Sequence, residues 1–286
     1  MSLIEKTAPL IAKVRGNAPF CPWLSTIRCL YPCNFKLRPP KLDILVAQEE
    51  KDWVLLRFGG KHSFWFPRQT RVNLELWNEY LAAFWDHPAN AHSYLRSGMP
   101  GFEGDIVYDC GACEGFFTRL ALDSGAARVV CIEPSGFMAV CLRRTFATEI
   151  DQGRVVVCEA ALASVAGRAL FEQQPGEAFT GKLTRSGSET VELTTLDSLN
   201  ETLGAPTFIK MDLEGSEYEA LRGGVTTLAH THPKLAVTTY HFAWDYAVSK
   251  ALIDSLGYDS IRCSAATMRQ TDVPRAVILH AWKTFK

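Results

Sequence analysis

From Gly104 to the end of the chain, apolar residues switch repeatedly between short unbroken runs and helical spacing. Ile106-Val107-Tyr108 suits a buried strand over 106–109, and the residues after it read as a helix over 115–123. A strand over 128–132 follows, then a helix over 137–149 and a strand over 154–158. Phe208-Ile209-Lys210-Met211 is the next strand, and a helix from Tyr218 to Leu221 is stopped by Gly223-Gly224. The series closes with a strand over 235–239, a helix over 247–256, and strands over 260–263 and 276–281. This alternation predicts an α/β fold with a doubly wound, mostly parallel sheet. The connection over 264–274 is too short for a crossover helix, so the last two strands should form an antiparallel hairpin. Over 168–195 the alternation is weak and interrupted by Pro175-Gly176, Gly181 and Gly187, which predicts two strands around a mobile polar loop. Thr195-Leu196-Asp197-Ser198-Leu199 starts a short helix.

The first hundred residues are less regular. Trp53 to Phe58 reads as a strand, Gly59-Gly60 as a turn and Lys61 to Phe66 as the hairpin partner. Apolar residues at 74, 76, 77, 80, 81, 84 and 85 predict a helix over 73–85, with Asn73 as N-cap. Pro22, Pro32 and Pro39 lie among aromatics, so 19–40 reads as a looped wrap. Residues 1–100 are expected to be an N-terminal α/β cap on a domain spanning 101–286, offering a substrate or homodimer surface.

Composition narrows the classes. A chain of 286 residues with 47% apolar content can bury a full core. A net charge of -1 provides no field of one sign for nucleic acid or a membrane surface, so neither partner is expected. No apolar run approaches membrane-spanning length, and Met1 to Lys6 lacks a signal-peptide core. Nine scattered cysteines suit reduced thiols in a cytoplasmic protein. Cys110-x-x-Cys113 lacks the second pair that a zinc site needs; a redox role for it is an outside reading.

The chemistry concentrates in Asp109-Cys110-Gly111-Ala112-Cys113-Glu114-Gly115-Phe116-Phe117-Thr118, a strand-to-helix turn. A dinucleotide turn reads G-x-G-x-x-G, and its second glycine lets the backbone touch a pyrophosphate. Cys113 stands there instead. Acidic Asp109 at the strand end would repel a pyrophosphate and suit an ammonium group. S-adenosylmethionine carries an ammonium group, an adenosine and no phosphate. Glu133 lies 22 residues after Gly111, about where a carboxylate on the second strand grips ribose hydroxyls. Ala160 and Ala161 are small enough for an adenine ring to lie flat beside them. Taken singly, the glycines also fit a plain tight turn, and Glu133 a solvated strand-end acid. Asp212-Leu213-Glu214-Gly215-Ser216-Glu217 adds carboxylates at the ligand edge of the sheet, and Tyr240-His241 follows the next strand.

Asp109-x-Gly111-x-x-x-Gly115-x-x-Thr118, Ile132-Glu133-Pro134, Thr195-Leu196-Asp197 and Ile209 to Glu217 together resemble the FkbM-type methyltransferases, a family of S-adenosylmethionine-dependent O-methyltransferases. The resemblance runs from about Gly104 to the C-terminus, and Tyr240-His241-Phe242 with Asp245 fits one branch. It implies a seven-stranded Rossmann-like methyltransferase sheet with one antiparallel strand. It also implies S-adenosyl-L-methionine as cofactor and O-methylation of a hydroxyl on a small molecule or sugar. The expected cofactor contacts are Asp109, Gly111, Gly115, Phe116, Thr118, Glu133, Pro134, Ala160 and Asp212. His241 is the candidate general base, or else a core histidine holding a loop. Asp212 and Glu214 would orient the acceptor, assist His241 or bind a divalent cation, although no metal is required. Their plainer role is to complement a helix dipole, which suits Glu217 best. Two other classes stay open. The missing middle glycine disfavours an NAD-dependent oxidoreductase, and His241 with Asp212 disfavours a non-catalytic cofactor-binding protein.

Overall fold

The computed structural model describes residues 13–14, 41, 43–85, 90, 92–95, 101–173, 181–263, 266–267 and 275–284. In the N-terminal part, β1 (Ile44–Glu49), β2 (Trp53–Phe58) and β3 (His62–Pro67) form an antiparallel sheet. Helix α1 (Leu74–Phe84) follows, capped by the Asn73 side chain, which accepts from Leu76 N–H. The hairpin and helix match the sequence pattern. Strand β1 does not show in it, because five of its six side chains are exposed and carry no buried period. The wrap expected over 19–40 lies outside the described residues.

Alternating units then build the main sheet. They are β4 (Ile106–Cys110), α2 (Phe116–Asp123), β5 (Arg128–Ile132), α3 (Gly136–Thr145), α4 (Ala147–Asp151) and β6 (Val155–Cys158). A side sheet follows from β7 (Ala161–Leu162), β8 (Gly167–Glu172), β9 (Lys182–Thr184) and β10 (Glu189–Thr194). Next come α5 (Leu196–Leu203), β11 (Phe208–Met211), α6 (Glu217–Arg222), α7 (Val225–Thr231), β12 (Lys234–Thr238) and α8 (Asp245–Ser255). The chain closes with β13 (Ser260–Cys263), β14 (Ala266–Thr267), β15 (Arg275–Ala276) and β16 (Ile278–Trp282).

The main sheet has seven strands in the order β13-β16-β12-β11-β4-β5-β6. Only β16 runs against the others; it pairs antiparallel with both β12 and β13. This is the doubly wound sheet with a closing antiparallel pair that the spacing predicts. Its central strands are buried on both faces, which is why they read as unbroken apolar runs. One face packs Val107, Val129 and Phe208 against α2 and the N-terminal aromatics. The other packs Tyr108, Val130, Ile209 and Met211 against α5 to α8.

Two expectations need correction. The single helix over 137–149 breaks at Phe146, which leaves helical geometry and buries its ring completely. Over 168–195 there are three strands, not two, and with β7 they form a four-stranded sheet in the order β7-β10-β8-β9. The loop expected within that stretch falls largely on 174–180, outside the described residues.

Candidate active site

The turn after β4 is held by close approaches. Gly111 has φ 77 and Gly115 φ 81, both in the left-handed region. A Cβ on Gly111 would stand 2.0 Å from the Asp212 carbonyl oxygen, so glycine lets the ends of β4 and β11 come together. A Cβ on Gly115 would stand 2.5 Å from the Phe146 ring, which explains why the helix breaks there.

Asp109 lies beneath the turn and is fully buried. Its Oδ1 is 3.1 Å from Lys210 Nζ, and its Oδ2 accepts from the Thr118 hydroxyl at 2.6 Å. Lys210 Nζ also donates to the Gly111 carbonyl at 2.6 Å. Burial alone would lower the lysine pKa, but Asp109 and Asp212 raise it further than that, so the ammonium stays charged. Asp109 and Thr118 therefore brace the turn from below. They do not line the cavity, which corrects the expectation that Asp109 meets a ligand ammonium: Lys210 already neutralises it. Cys110 and Cys113 are not joined in a disulfide, and burial pushes both thiols well above their ordinary pKa. That is the opposite of a reactive thiolate.

Above the turn a cavity of about 400 Å³ opens at the C-terminal ends of the strands. Gly111, Phe116, Glu133, Pro134 and Ala160 line it, while Gly115 stays behind the wall. Glu133 is held by backbone: Oε2 accepts from Cys113 N–H at 3.0 Å and Oε1 from Ser135 N–H at 2.9 Å. Burial pushes its pKa up to about 7 against the pull of those amides. Each oxygen keeps a further lone pair for a ligand hydroxyl. Glu114 also lines the cavity, with a buried Oε1 that has no hydrogen-bond partner, and burial raises its pKa to about 7.

Asp212 and Glu214 line the same cavity from the end of β11. Glu214 has φ 52, a left-handed geometry that a side chain rarely adopts. Asp212 Oδ2 accepts from the Tyr94 hydroxyl at 2.9 Å, and the Thr238 hydroxyl lies 3.2 Å from Oδ1. His241 stands behind them, its side chain 7% exposed. Its Nε2 is 3.7 Å from Asp212 Oδ1 and 3.5 Å from Glu214 Oε2; its Nδ1 is 3.1 Å from Glu217 Oε1. Burial lowers the imidazole pKa, but Glu214, Glu217 and Asp212 outweigh it and raise it to about 11. The three residues that the sequence places at adjacent strand ends thus come together, and the ring that was expected to act as a base is surrounded by carboxylates that favour its charged form. An imidazolium has no lone pair to receive a proton, so in this arrangement His241 is a counter-ion. Glu217 stands in the first turn of α6, where its charge complements the helix dipole, but it is 1% exposed and also accepts from Leu213 N–H at 2.7 Å.

The N-terminal part supplies wall residues that no motif announced, among them Tyr94 and, from α1, Glu75 and Glu79. Glu79 is exposed as a whole residue and also lines the cavity. Burial there, then repulsion from Glu114, Asp212 and Glu214, raises its pKa to about 8. Glu75 and Glu79 are like charges four residues apart, and this was the available signal: helices disfavour that pairing without a reason.

The methyltransferase FkbM domain profile matches residues 109–260, more than half of the chain. The chain belongs to the FkbM methyltransferase family. Among solved structures, it is similar to the FkbM methyltransferase of Methylobacillus flagellatus KT, with a TM-score of 0.51 and 23% identity. That match covers 68% of this chain and 50% of the other, so the FkbM-family chain described here spans about half the length of that relative. It is less similar to a precorrin-6y C5,15-methyltransferase from Geobacter metallireducens GS-15 (TM-score 0.42, 13% identity, 69% of this chain and 87% of that one). A tRNA m1G37 methyltransferase from M. jannaschii gives a TM-score of 0.42 at 10% identity, over 84% of this chain and 57% of that one. No curated protein matches the chain. No helix among the described residues is long and apolar enough to cross a membrane.

Proposed function

We propose that the protein transfers the methyl group of S-adenosylmethionine to a hydroxyl of a small molecule or sugar. One observation carries this reading: a single cavity is bounded on one side by Gly111 and Glu133 and on the other by Asp212 and Glu214. Gly111, Phe116, Glu133, Pro134 and Ala160 would hold the cofactor, with the free lone pairs of Glu133 matched to ribose hydroxyls. The absence of a glycine at Cys113 and the carboxylates of the wall suit a cationic ligand and not a pyrophosphate. When bound, the cofactor supplies a methyl group already activated by its sulfonium.

The protein's task is then to place an acceptor oxygen and receive its proton. Asp212 is oriented for this by Tyr94 and Thr238, and Glu214 stands beside it. As the acceptor oxygen gives up electron density, its proton becomes strongly acidic, and a carboxylate is basic enough to take it. His241, 3.7 Å from Asp212 and 3.5 Å from Glu214, would hold those carboxylates in place. Glu75, Glu79, Glu114, Asp212 and Glu214 make the wall acidic, which favours an uncharged or cationic acceptor over a phosphate-bearing one. Titration calorimetry with S-adenosylmethionine, then transfer of labelled methyl to a panel of hydroxylated acceptors, tests the reading. Binding of NAD with no response to S-adenosylmethionine would overturn it.

A further inference from the structure

Asp212, Glu217 and His241 come from three different segments and place one ligand atom each within 4.8 Å of one another. Their surroundings fix them in advance. Tyr94 donates to Asp212 Oδ2, and Leu213 N–H donates to Glu217 Oε1. The Thr238 hydroxyl lies 3.0 Å from Glu217 Oε1 and 3.2 Å from Asp212 Oδ1, and so can donate to either. After these bonds are counted, the buried Glu217 Oε2 has no hydrogen-bond partner, and the two nitrogens of His241 face only carboxylates. Glu217 is 1% exposed and the His241 side chain 7% exposed, so water does not satisfy them from bulk solvent. With Glu214, three carboxylates surround one imidazole. Even a fully charged ring leaves two negative charges over, and the nearby Lys210 is committed to Asp109. Buried carboxylates with lone pairs to spare, one imidazole and a charge deficit match the donor set of a metal centre.

We propose that Asp212, Glu217 and His241 form a binding site for one borderline divalent cation of the Mn²⁺ type, which takes the ring lone pair and displaces to solvent the proton that His241 otherwise carries. Two carboxylates favour the harder divalent ions and an imidazole the softer ones; Mn²⁺ accepts both. Thr238, Tyr94 and the Leu213 amide form the outer layer that orients the ligands. Asp212 is the ligand that also lines the cavity, so the cation would stand at the acceptor side of the site. There it would lower the pKa of a hydroxyl brought to it, so that the proton passes more readily to a neighbouring carboxylate. That catalytic role rests on the methyl-transfer reading above; the binding of the cation does not.

The test is a calorimetric titration of untagged, chelator-treated protein with Mn²⁺, with Mg²⁺ and Zn²⁺ in parallel. A second titration with S-adenosylmethionine is run on the same sample. One Mn²⁺ per chain is expected, with Kd in the micromolar range. Glu217→Gln should weaken it at least tenfold while S-adenosylmethionine affinity changes less than twofold. Paramagnetic resonance gives an independent readout on the wild type alone, because bound Mn²⁺ loses the sharp six-line signal of the free ion. Should Glu217→Gln fail to fold, the wild-type stoichiometry and spectrum decide. No binding of any of the three ions below 1 mM by protein that still binds S-adenosylmethionine would overturn the proposal. So would equal Mn²⁺ affinity in wild type and a folded Glu217→Gln. Mn²⁺ binding without S-adenosylmethionine binding would support this site and overturn the cofactor reading instead.

Discussion

Asp109 and Asp212 stand at the ends of adjacent parallel strands, and the protein treats them in opposite ways. Asp109 has a lysine, a threonine hydroxyl and complete burial, and it faces no cavity. Asp212 has neutral donors, three ionisable neighbours and a cavity in front of it. Their difference is not one of residue type or of position along a strand. It is the location of the counter-ion. Lys210 points under β4 and closes one end; His241 is shared among several carboxylates at the other and leaves charge over. A closed charge is a brace and an open one is a site.

The sharpest separation should come from Asp212→Asn. The change keeps the shape and an acceptor for Tyr94, yet removes the charge. Turnover is expected to fall about 10²–10⁴-fold, the range for a lost proton acceptor, with S-adenosylmethionine affinity nearly unchanged. Rates with labelled methyl donor measure it, and full activity would dissolve the contrast between the two ends.

Asp109→Asn should give the reverse pattern. It leaves the Lys210 ammonium buried without its partner, which costs about 3–5 kcal/mol of stability. Denaturant melts without cofactor would show it. If the melt is unchanged and only cofactor binding suffers, Asp109 belongs to the site after all.

Glu133→Ala lies between the two cases. It should weaken cofactor binding by about 1–3 kcal/mol, the cost of unpaired hydroxyls. The amides of Cys113 and Ser135 lose their acceptor as well, so the apo protein should also melt earlier. Calorimetry and a thermal melt on one sample separate the two losses.

The smallest effect concerns pH. Glu79, Glu114 and Glu133 have pKa values raised to about 8, 7 and 7. A carboxyl whose pKa is raised by folding contributes stability in full below its unfolded value and loses it as pH climbs through the folded one. Apo protein should therefore soften between pH 5 and 8. Glu79→Gln should flatten that slope, which thermal melts across the window measure. A Tm that climbs across the same window would contradict the charge crowding in the cavity.

What could be read in the sequence was whatever is decided locally. The strand ends, the glycine turn, Asn73 as a helix cap, the short helix that starts at Thr195, and the antiparallel closing strand depend on neighbours a few residues away. The cluster of Asp212, Glu214 and His241 was legible too, because adjacent strand tips meet at one edge. Asp109 was misjudged because its counter-ion sits in another strand, and nothing near Asp109 in sequence reveals it. The protonation of His241 failed for the same reason, as it depends on three carboxylates converging from β11, its following loop and α6. Phe146 packs its ring into the space that Gly115 leaves, and the Tyr94 contact with Asp212 joins residues 118 apart in sequence.

Phe116 sets a limit on how this protein could be cut or recombined. Its ring meets Phe64 edge-on at 4.8 Å and Phe58 at 5.1 Å, and its other side is wall of the cavity. A gene fragment starting at Gly101 would encode the whole main sheet and still leave that ring wet, with the cavity floor missing its backing. Exchanging the leading segment between relatives would likewise have to move residue 116 with it. Breakpoints near 100, where the sequence itself looks divisible, cut through this packing.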